Sequence, residues 1–571
     1  MSAIADDSVL VGIDLGTTNS LIAVFEDDGP RLIENAGGSA LTPSVVSLSD
    51  DGDMLVGEAA RHRLITHPGR TAARFKRHMG TRKTVELGSK TFRAEELSAL
   101  VLRSLVEDAE RDLGRPVTRA VISVPAYFND VQRKATIAAG RMAGLKVERL
   151  VNEPTAAALA YGLLNPEEET TVLVVDLGGG TFDVSILEVF DGVMEVRASS
   201  GDAFLGGEDF TTELAKHFRS QLGAAFALKP EDEERLRRLT DDAKRRLSEN
   251  ATVSFDFALG DTTTTLSVNR EQFETLCAPL LSRMRLPLQR AVSDAGLRSS
   301  DIDKVVLVGG ATRMPVVRQL VTRLLKCFPE HGIDPDEVVA RGTAVQAGLV
   351  SRHKALDDIV MTDVAPFTMG TNVSVEVAPG QFAGGHYQPV IERNTVIPVS
   401  RSVINSTVRP NQDAIELHIY QGESPMVREN VEIGQLNVPL PPSKELQDID
   451  IRFTYDVSGA LEVLVTVLSD NSVARTVIEG NPGSLTKTEI DARFDALSEL
   501  KIHPRDAVEN TAVMERLKAG YEMSLGPQRD RVRDAIVAFE GALQTQNEKT
   551  IALARQEISA FLDRLDADRL L

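Results

Sequence analysis

Two stretches decide the architecture: Asp14-Leu15-Gly16-Thr17-Thr18-Asn19 and Asp176-Leu177-Gly178-Gly179-Gly180-Thr181-Phe182-Asp183. Each closes a short apolar run, "SVLVGI" before the first and "TTVLVV" before the second. A run of that kind ending at glycine reads as a buried strand followed by a tight turn. Glycine at a strand end lets the main chain approach a ligand and turn its N–H groups onto phosphate oxygens. Thr17, Thr18 and Thr181 add hydroxyl donors, and Asp14 and Asp176 are placed to hold a hydrated Mg2+ beside a nucleoside triphosphate. A single DLG turn reads equally well as a β-turn with a capping aspartate. Two in the same context suggest a duplicated fold that clamps phosphates from two sides. A P-loop is excluded, because GxxxxGK[ST] occurs nowhere.

Working outward, "AVISVPAYF" and "KVVLVGGATR" read as further buried strands, and Leu97, Leu100, Val101 and Leu105 recur at helical spacing. Strands alternating with helices predict a layered α/β domain over residues 1–354. The texture then changes. Ile415, Leu417 and Ile419 alternate with Glu416, His418 and Tyr420, and Leu461, Val463, Val465 and Val467 repeat the pattern. Period two with turn signals predicts an antiparallel β-sandwich over 363–483. Residues 484–571 are helical in rhythm, with Val532, Ile536, Phe539 and Leu543 on one face. Between the first two units, the 355–362 linker carries Ile359, Val360 and Met361 among acidic residues. Linkers are normally polar. This one either joins the sandwich as an extra strand or docks elsewhere.

At 571 residues the chain is too long for one core. Its net charge of −21 excludes nonspecific grip on nucleic acid or anionic membrane, since the summed field repels phosphate. Cys277 and Cys327 are too few for a disulfide framework and lack metal-ligand spacing, so both read as small apolar residues. No apolar run approaches the length of a membrane span. The opening residues lack the basic region of a signal peptide, and the expected setting is the cytoplasm.

The sequence resembles the seventy-kilodalton heat-shock (DnaK-like) chaperone family, on "GIDLGTTNS" (12–20), "VPAYFNDVQRKAT" (124–136), "NEPTAAALAYG" (152–162), "DLGGGTFDVS" (176–185), "GDAFLGGEDF" (201–210) and "LVGGATRMP" (307–315). The short C-terminus and "FKRHMGT" look closest to the HscC branch. The resemblance implies an actin-like (ribonuclease H-like, duplicated) ATPase, then a peptide-binding sandwich, then a short helical lid. It implies that Lys76, Glu153, Thr181 and Asp183 are catalytic and that Asp14 and Asp176 hold Mg2+ through water, with K+ as a further ion. Gly16, Thr17, Thr18, Asn19, Gly178, Gly179, Gly180, Gly207 and Glu208 match the cradle for the phosphates of ATP and ADP. Asp241, Lys244, Arg245 and Ser248 face Gly309, Gly310, Arg313 and Asp336 across the nucleoside. Asp241 and Ala311 depart from the family's usual glutamate and serine, which predicts weaker hold on ATP.

In the sandwich the resemblance assigns client contacts to Phe382, Ala383, Ile404, Ser406, Val408 and Ile415, with Ala383 where an arching hydrophobe is usual. It assigns interdomain coupling to Arg149, Ile359, Val360, Met361 and Asp363, sensed by a J-domain co-chaperone on another chain. Each residue also has a plainer reading: Lys76 as a solvated lysine, Glu153 as helix N-terminal charge, Ile404 as an ordinary sandwich residue. Three other functions share the paired turns: a sugar or glycerol kinase, an actin-like filament protein, and a relative that exchanges nucleotide without releasing peptide. VPAYFND, NEPTAAALAYG and the downstream sandwich argue against the first two, and the intact catalytic set argues against the third.

Overall fold

The computed structural model describes residues 9–569 apart from 165–168, 191–192, 224–227, 260–261, 331, 333, 357–359, 379, 458, 480–503 and 525–526. Its first sheet runs in the order Lys146–Asn152, Arg119–Val124, Leu10–Asp14, Asn19–Glu26, Gly29–Leu32. Its second runs Lys304–Val308, Thr170–Leu177, Phe182–Phe190, Val193–Asp202. The two share one plan. In each, the strand ending in the DLG turn lies parallel to a later strand on one side, with Leu10 opposite Arg119 and Val172 opposite Lys304. On its other side it lies antiparallel to the strand that follows the turn. Both DLG turns therefore emerge at corresponding corners.

Helices Glu153–Leu164 and Val338–Val350 fill the space between the sheets. One apolar cluster joins the lobes there, with Val121 and Val151 from the first sheet, Val174 and Val306 from the second, and Ala156, Leu159 and Val345 from the helices. Alanine and glycine dominate the crossing because the main chains nearly touch. A Cβ on Gly342 would lie 1.6 Å from the carbonyl oxygen of Ala156.

The linker answers the alternative left open by its sequence. Val360–Val364 is a strand that pairs in parallel with the second sheet, Val193 opposite Val360 and Met194 opposite Met361. It then pairs antiparallel with Val396–Ile397, Asp363 opposite Ile397. One strand thus belongs to both units. Ile359 lies outside the described residues.

The sandwich stacks the sheet Gln381–Ile391, Met369–Ala378, Ala414–Gln421, Val431–Pro439 on the sheet Val399–Ser406, Asp448–Tyr455, Leu461–Val467, Ser472–Ile478. Leu417, Ile419, Ile451, Phe453, Val463 and Val465 form its core, as the alternation predicts. The "QFAGGHYQP" stretch reads as a loop in sequence but is strand. Its glycines are absorbed in a register shift, with Val373 opposite His386 and Val375 opposite Ala383, so the strand bulges rather than breaks. Helices Val508–Glu522, Pro527–Gln544 and Glu548–Arg569 enclose a separate core of Leu517, Val532, Phe539, Leu543 and Leu562. Cys277 is buried as read, whereas Cys327 is only half-buried. Among the described residues no helix is long and apolar enough to cross a membrane.

Gly342→Val should force the interlobe helices apart and cost about 3 kcal/mol or more. Calorimetry should show the transition of residues 9–356 lowered, with the sandwich transition in place. An unchanged first transition would mean that the crossing is looser than described.

Candidate functional site

A cleft of about 410 Å3 opens where the two DLG turns face each other. Asp14, Gly16, Thr17, Thr18, Asn19, Lys76, Glu153, Asp176, Gly178, Gly179, Thr181, Gly207 and Glu208 line its inner part. Gly180 and Asp183 stand immediately behind, Asp183 being paired to Asp176 across adjacent strands. The turns interlock so closely that a Cβ on Gly179 would lie 2.2 Å from the hydroxyl of Thr18. Only glycine fits.

Lys76 sits in a 3-10 turn, Phe75–His78, and Glu153 opens the helix Glu153–Leu164. Both are buried, and Lys76 Nζ donates to Glu153 Oε1 at 2.7 Å. The solvated-lysine reading of Lys76 is therefore excluded. Around this pair stand three aspartates. Burial, and then the Glu153 charge, raise the Asp14 carboxyl to about 7 and the Asp183 carboxyl to about 8. The same two causes push Asp176 well above the ordinary carboxylate range. Ser123 Oγ donates to Asp14 at 2.7 Å and the Tyr127 main-chain N–H donates to Asp183 at 3.0 Å. Asp183 Oδ2 is buried without a partner. Four carboxyls thus converge on one ammonium. The surplus of negative charge fits a divalent cation carried with a polyphosphate.

The outer part of the cleft has two walls. On one, Lys244 Nζ donates to the Gly207 carbonyl (3.0 Å) and Thr211 Oγ1 (2.7 Å), and pairs with Asp241 at 2.8 Å. Arg245 also pairs with Asp241, at 3.0 Å. Burial works against the Asp241 charge, but Lys244 and Arg245 outweigh it and hold the carboxyl at about 2. The shorter aspartate is thus spent inside its own wall. Opposite, Arg313 pairs with Asp336 at 2.8 Å and Asp334 at 2.9 Å. Ser248, Gly309, Gly310 and Ala311 complete the lining.

Sequence reading missed the clasp across the cleft mouth. Arg77 NH2 donates to both carboxylate oxygens of Asp209 at 3.1 Å and to the Phe204 carbonyl at 3.1 Å. Arg74, in the left-handed region at φ 62°, reaches Glu208 at 3.8 Å and Glu234 at 3.5 Å. Glu208 is also held by Arg237. The only signal in the sequence was the run of basic residues around Lys76.

The Hsp70 protein family profile matches residues 10–568. The chaperone protein DnaK of Mycoplasma mobile is 39% identical over 539 residues, which cover 92% of this chain and 87% of that relative. The chain belongs to the Hsp70 family. It is an ATP-dependent chaperone and an ATP hydrolase, and it binds client polypeptides and co-chaperones as Hsp70 proteins do.

In this Hsp70 chain the residues matched to client binding gather where the outer strands of the two sandwich sheets meet. Asn405 Nδ2 on one strand donates to Gln388 Oε1 on the other at 2.7 Å. Phe382, Ile404 and Val408 are exposed there, Ser406 lies on the same outer strand, and Ala383 pairs one bulge away. Ile415 is partly buried against the sandwich core. Between the units, Arg149 is partly buried near Asp363 and Asp456, and Asn152 Nδ2 donates to Asp363 at 3.2 Å. Met361 packs on the interlobe core. Further contacts outside the matched set seat the sandwich on the ATPase. Arg393 joins Asp294 (2.8 Å) to Glu423 (2.6 Å), and Asn394 bridges Ser199 and Asp294.

The Arg74 clasp ties the lobes across the cleft mouth. Replacing Arg74 by alanine should speed ADP release about fivefold, the rate equivalent of about 1 kcal/mol for a partly exposed network. Stopped-flow release of a fluorescent ADP checks this, and the difference should shrink in high salt. Equal rates in low salt would show that the clasp does not resist opening.

Proposed function

We propose that the cleft hydrolyses ATP with Lys76 and Glu153 positioning the attacking water, and that the shared strand Val360–Val364 couples hydrolysis to grip on extended apolar client segments. The observation that carries this is the strand's membership of both sheets. Lys76 neutralises charge developing on the γ-phosphate, while Thr181 and Asp183 hold its surroundings. Asp14 and Asp176 would hold Mg2+ through water, and the ion would supply charge neutralisation at the phosphates; K+ is a further candidate ion. The adenosine wall, with Asp241 engaged by Lys244 and Arg245, supports modest affinity for ATP.

A client gains main-chain hydrogen bonds along a sandwich edge, while alternate side chains enter the apolar surface of Phe382, Ile404, Val408 and Ile415. With Ala383 small where an arching hydrophobe is usual, release is fast, which fits a specialised chaperone of the HscC branch working in the cytoplasm. A J-domain partner reads the Arg149–Asp363 region beside Met361; a separate exchange factor is a further candidate partner.

Turnover of the unmodified protein should rise with an apolar peptide and stay flat with sugars; a rise with sugar alone would transfer the protein to the kinases. Lys76→Ala should lower kcat by at least about 100-fold with ATP affinity nearly kept, because the lysine acts mainly in the transition state. Near-normal single-turnover hydrolysis would sink that role. Met361→Asp should remove peptide stimulation and leave basal hydrolysis within about twofold. Full stimulation in that variant would make the strand a passive tether.

A further inference from the structure

The strand Val399–Ser406 is the outer strand of its sheet, paired on one side only, with Asp448–Tyr455. An outer strand presents a row of free N–H and C=O groups that another chain can join. Here one residue of that row is already taken. The main-chain N–H of Ser402 donates to Gln546 Oε1 at 3.3 Å, and Gln546 Nε2 donates back to the Ser402 carbonyl at 2.8 Å. A primary amide has the donor and acceptor of a peptide unit, so this two-point contact copies one rung of a β-ladder.

The turn that delivers Gln546 is built for the purpose. Gln546 joins helices Pro527–Gln544 and Glu548–Arg569 and adopts φ 51°, a left-handed conformation uncommon for glutamine. Asn547 fixes the next helix, its side chain accepting from the Thr550 N–H at 3.0 Å. Burial lowers the Arg401 guanidinium, and the Glu548 charge nearby partly opposes that. On the sandwich side, Ser402 is buried and its hydroxyl accepts from Arg452 at 3.2 Å. Both partners of the rung are held.

Main-chain direction alternates along a strand with period two. Since Ser402 faces outward, the N–H and C=O of Ile404 and Ser406 face outward too, onto the surface where Ile404 and Val408 stand exposed. We propose that the Gln546 turn is a built-in stop: it occupies the Ser402 rung, so an extended client pairs with the Ile404 and Ser406 rungs and no further. The inference rests on the client reading of this surface. It adds a residue in the helical tail that sets how long a client segment is gripped, and from which end.

The test uses the full chain with fluorescent apolar peptides lengthened residue by residue at either terminus. With the unmodified protein, affinity should stop rising at one terminus once the peptide reaches Ser402. In Gln546→Ala, two further residues at that terminus should tighten binding about fivefold, the gain from one more rung of hydrogen bonds. Gln546→Glu, which keeps an acceptor but loses the donor, should fall between. Amide exchange supplies a readout independent of peptide: Ser402 should be protected in the unmodified protein and lose protection in Gln546→Ala. An unprotected Ser402 in the unmodified chain would overturn the contact. Protection that is lost with no change in the length profile would overturn the stop. If Ser402 behaves as expected but no peptide binds any form, the client reading fails and the stop falls with it.

Discussion

Four carboxyls facing one ammonium is the constraint on which this molecule is arranged. Asp14, Asp176, Asp183 and Glu153 converge around Lys76, which offsets them together with Arg133 near Asp183. Ionised carboxylates at such spacing are costly, and burial followed by the Glu153 charge raises all three aspartates. The fold serves that tension. Two matching sheets deliver the aspartates from opposite sides, glycine turns let the loops mesh, and the Arg74 and Arg77 clasp draws the lobes together over the charge.

The same sheet carries the consequence outward. Asp176 and Asp183 sit at the ends of adjoining strands, the next strand is Val193–Asp202, and the shared strand Val360–Val364 lies beside it. At about 4.8 Å per strand, the Asp176 strand and the linker strand are only about 14 Å apart through continuous hydrogen-bonded backbone. The seat of the sandwich is mostly polar: Arg393 between Asp294 and Glu423, Asn394 on Ser199, Asp130 on Gln421. Polar seats of this kind come apart at modest cost because water replaces the lost partners. The apolar part of the contact includes Met361 and Val364 on the interlobe core and the ring contact of Tyr127 with Phe367.

The layers were legible because their patterns are local. Two DLG turns announced the duplicated sheets, period two announced the sandwich, and Val532, Phe539 and Leu543 announced the helical tail with its own core. What sequence left open depended on long-range partners. The linker is apolar, but only the free edge of Val193–Asp202 explains where it goes. Arg74 and Arg77 find their partners only across the cleft, where the opposite lobe places Glu208, Asp209 and Glu234 against them. The "QFAGGHYQP" stretch reads as loop because two glycines interrupt it, yet pairing on both flanks carries the strand past them. Asp241 looked like a loss of reach, and the structure adds that both its oxygens are engaged by neighbouring cations.

The helical tail follows a different logic from the ATPase. Its three described helices bury their apolar faces on one another, so its stability owes little to the sandwich below. Among the described residues, the hydrogen bonds that join the two run between Gln546 and Ser402. A pair of neutral hydrogen bonds at a half-exposed turn contributes on the order of 1–3 kcal/mol, small enough to open often and large enough to bias a rung. A bundle that holds itself together and meets the outer strand through an amide is suited to compete with a peptide. It offers the edge the same chemistry as a client backbone, and it does so without leaving the molecule. Client grip and tail closure then draw on one row of main-chain groups.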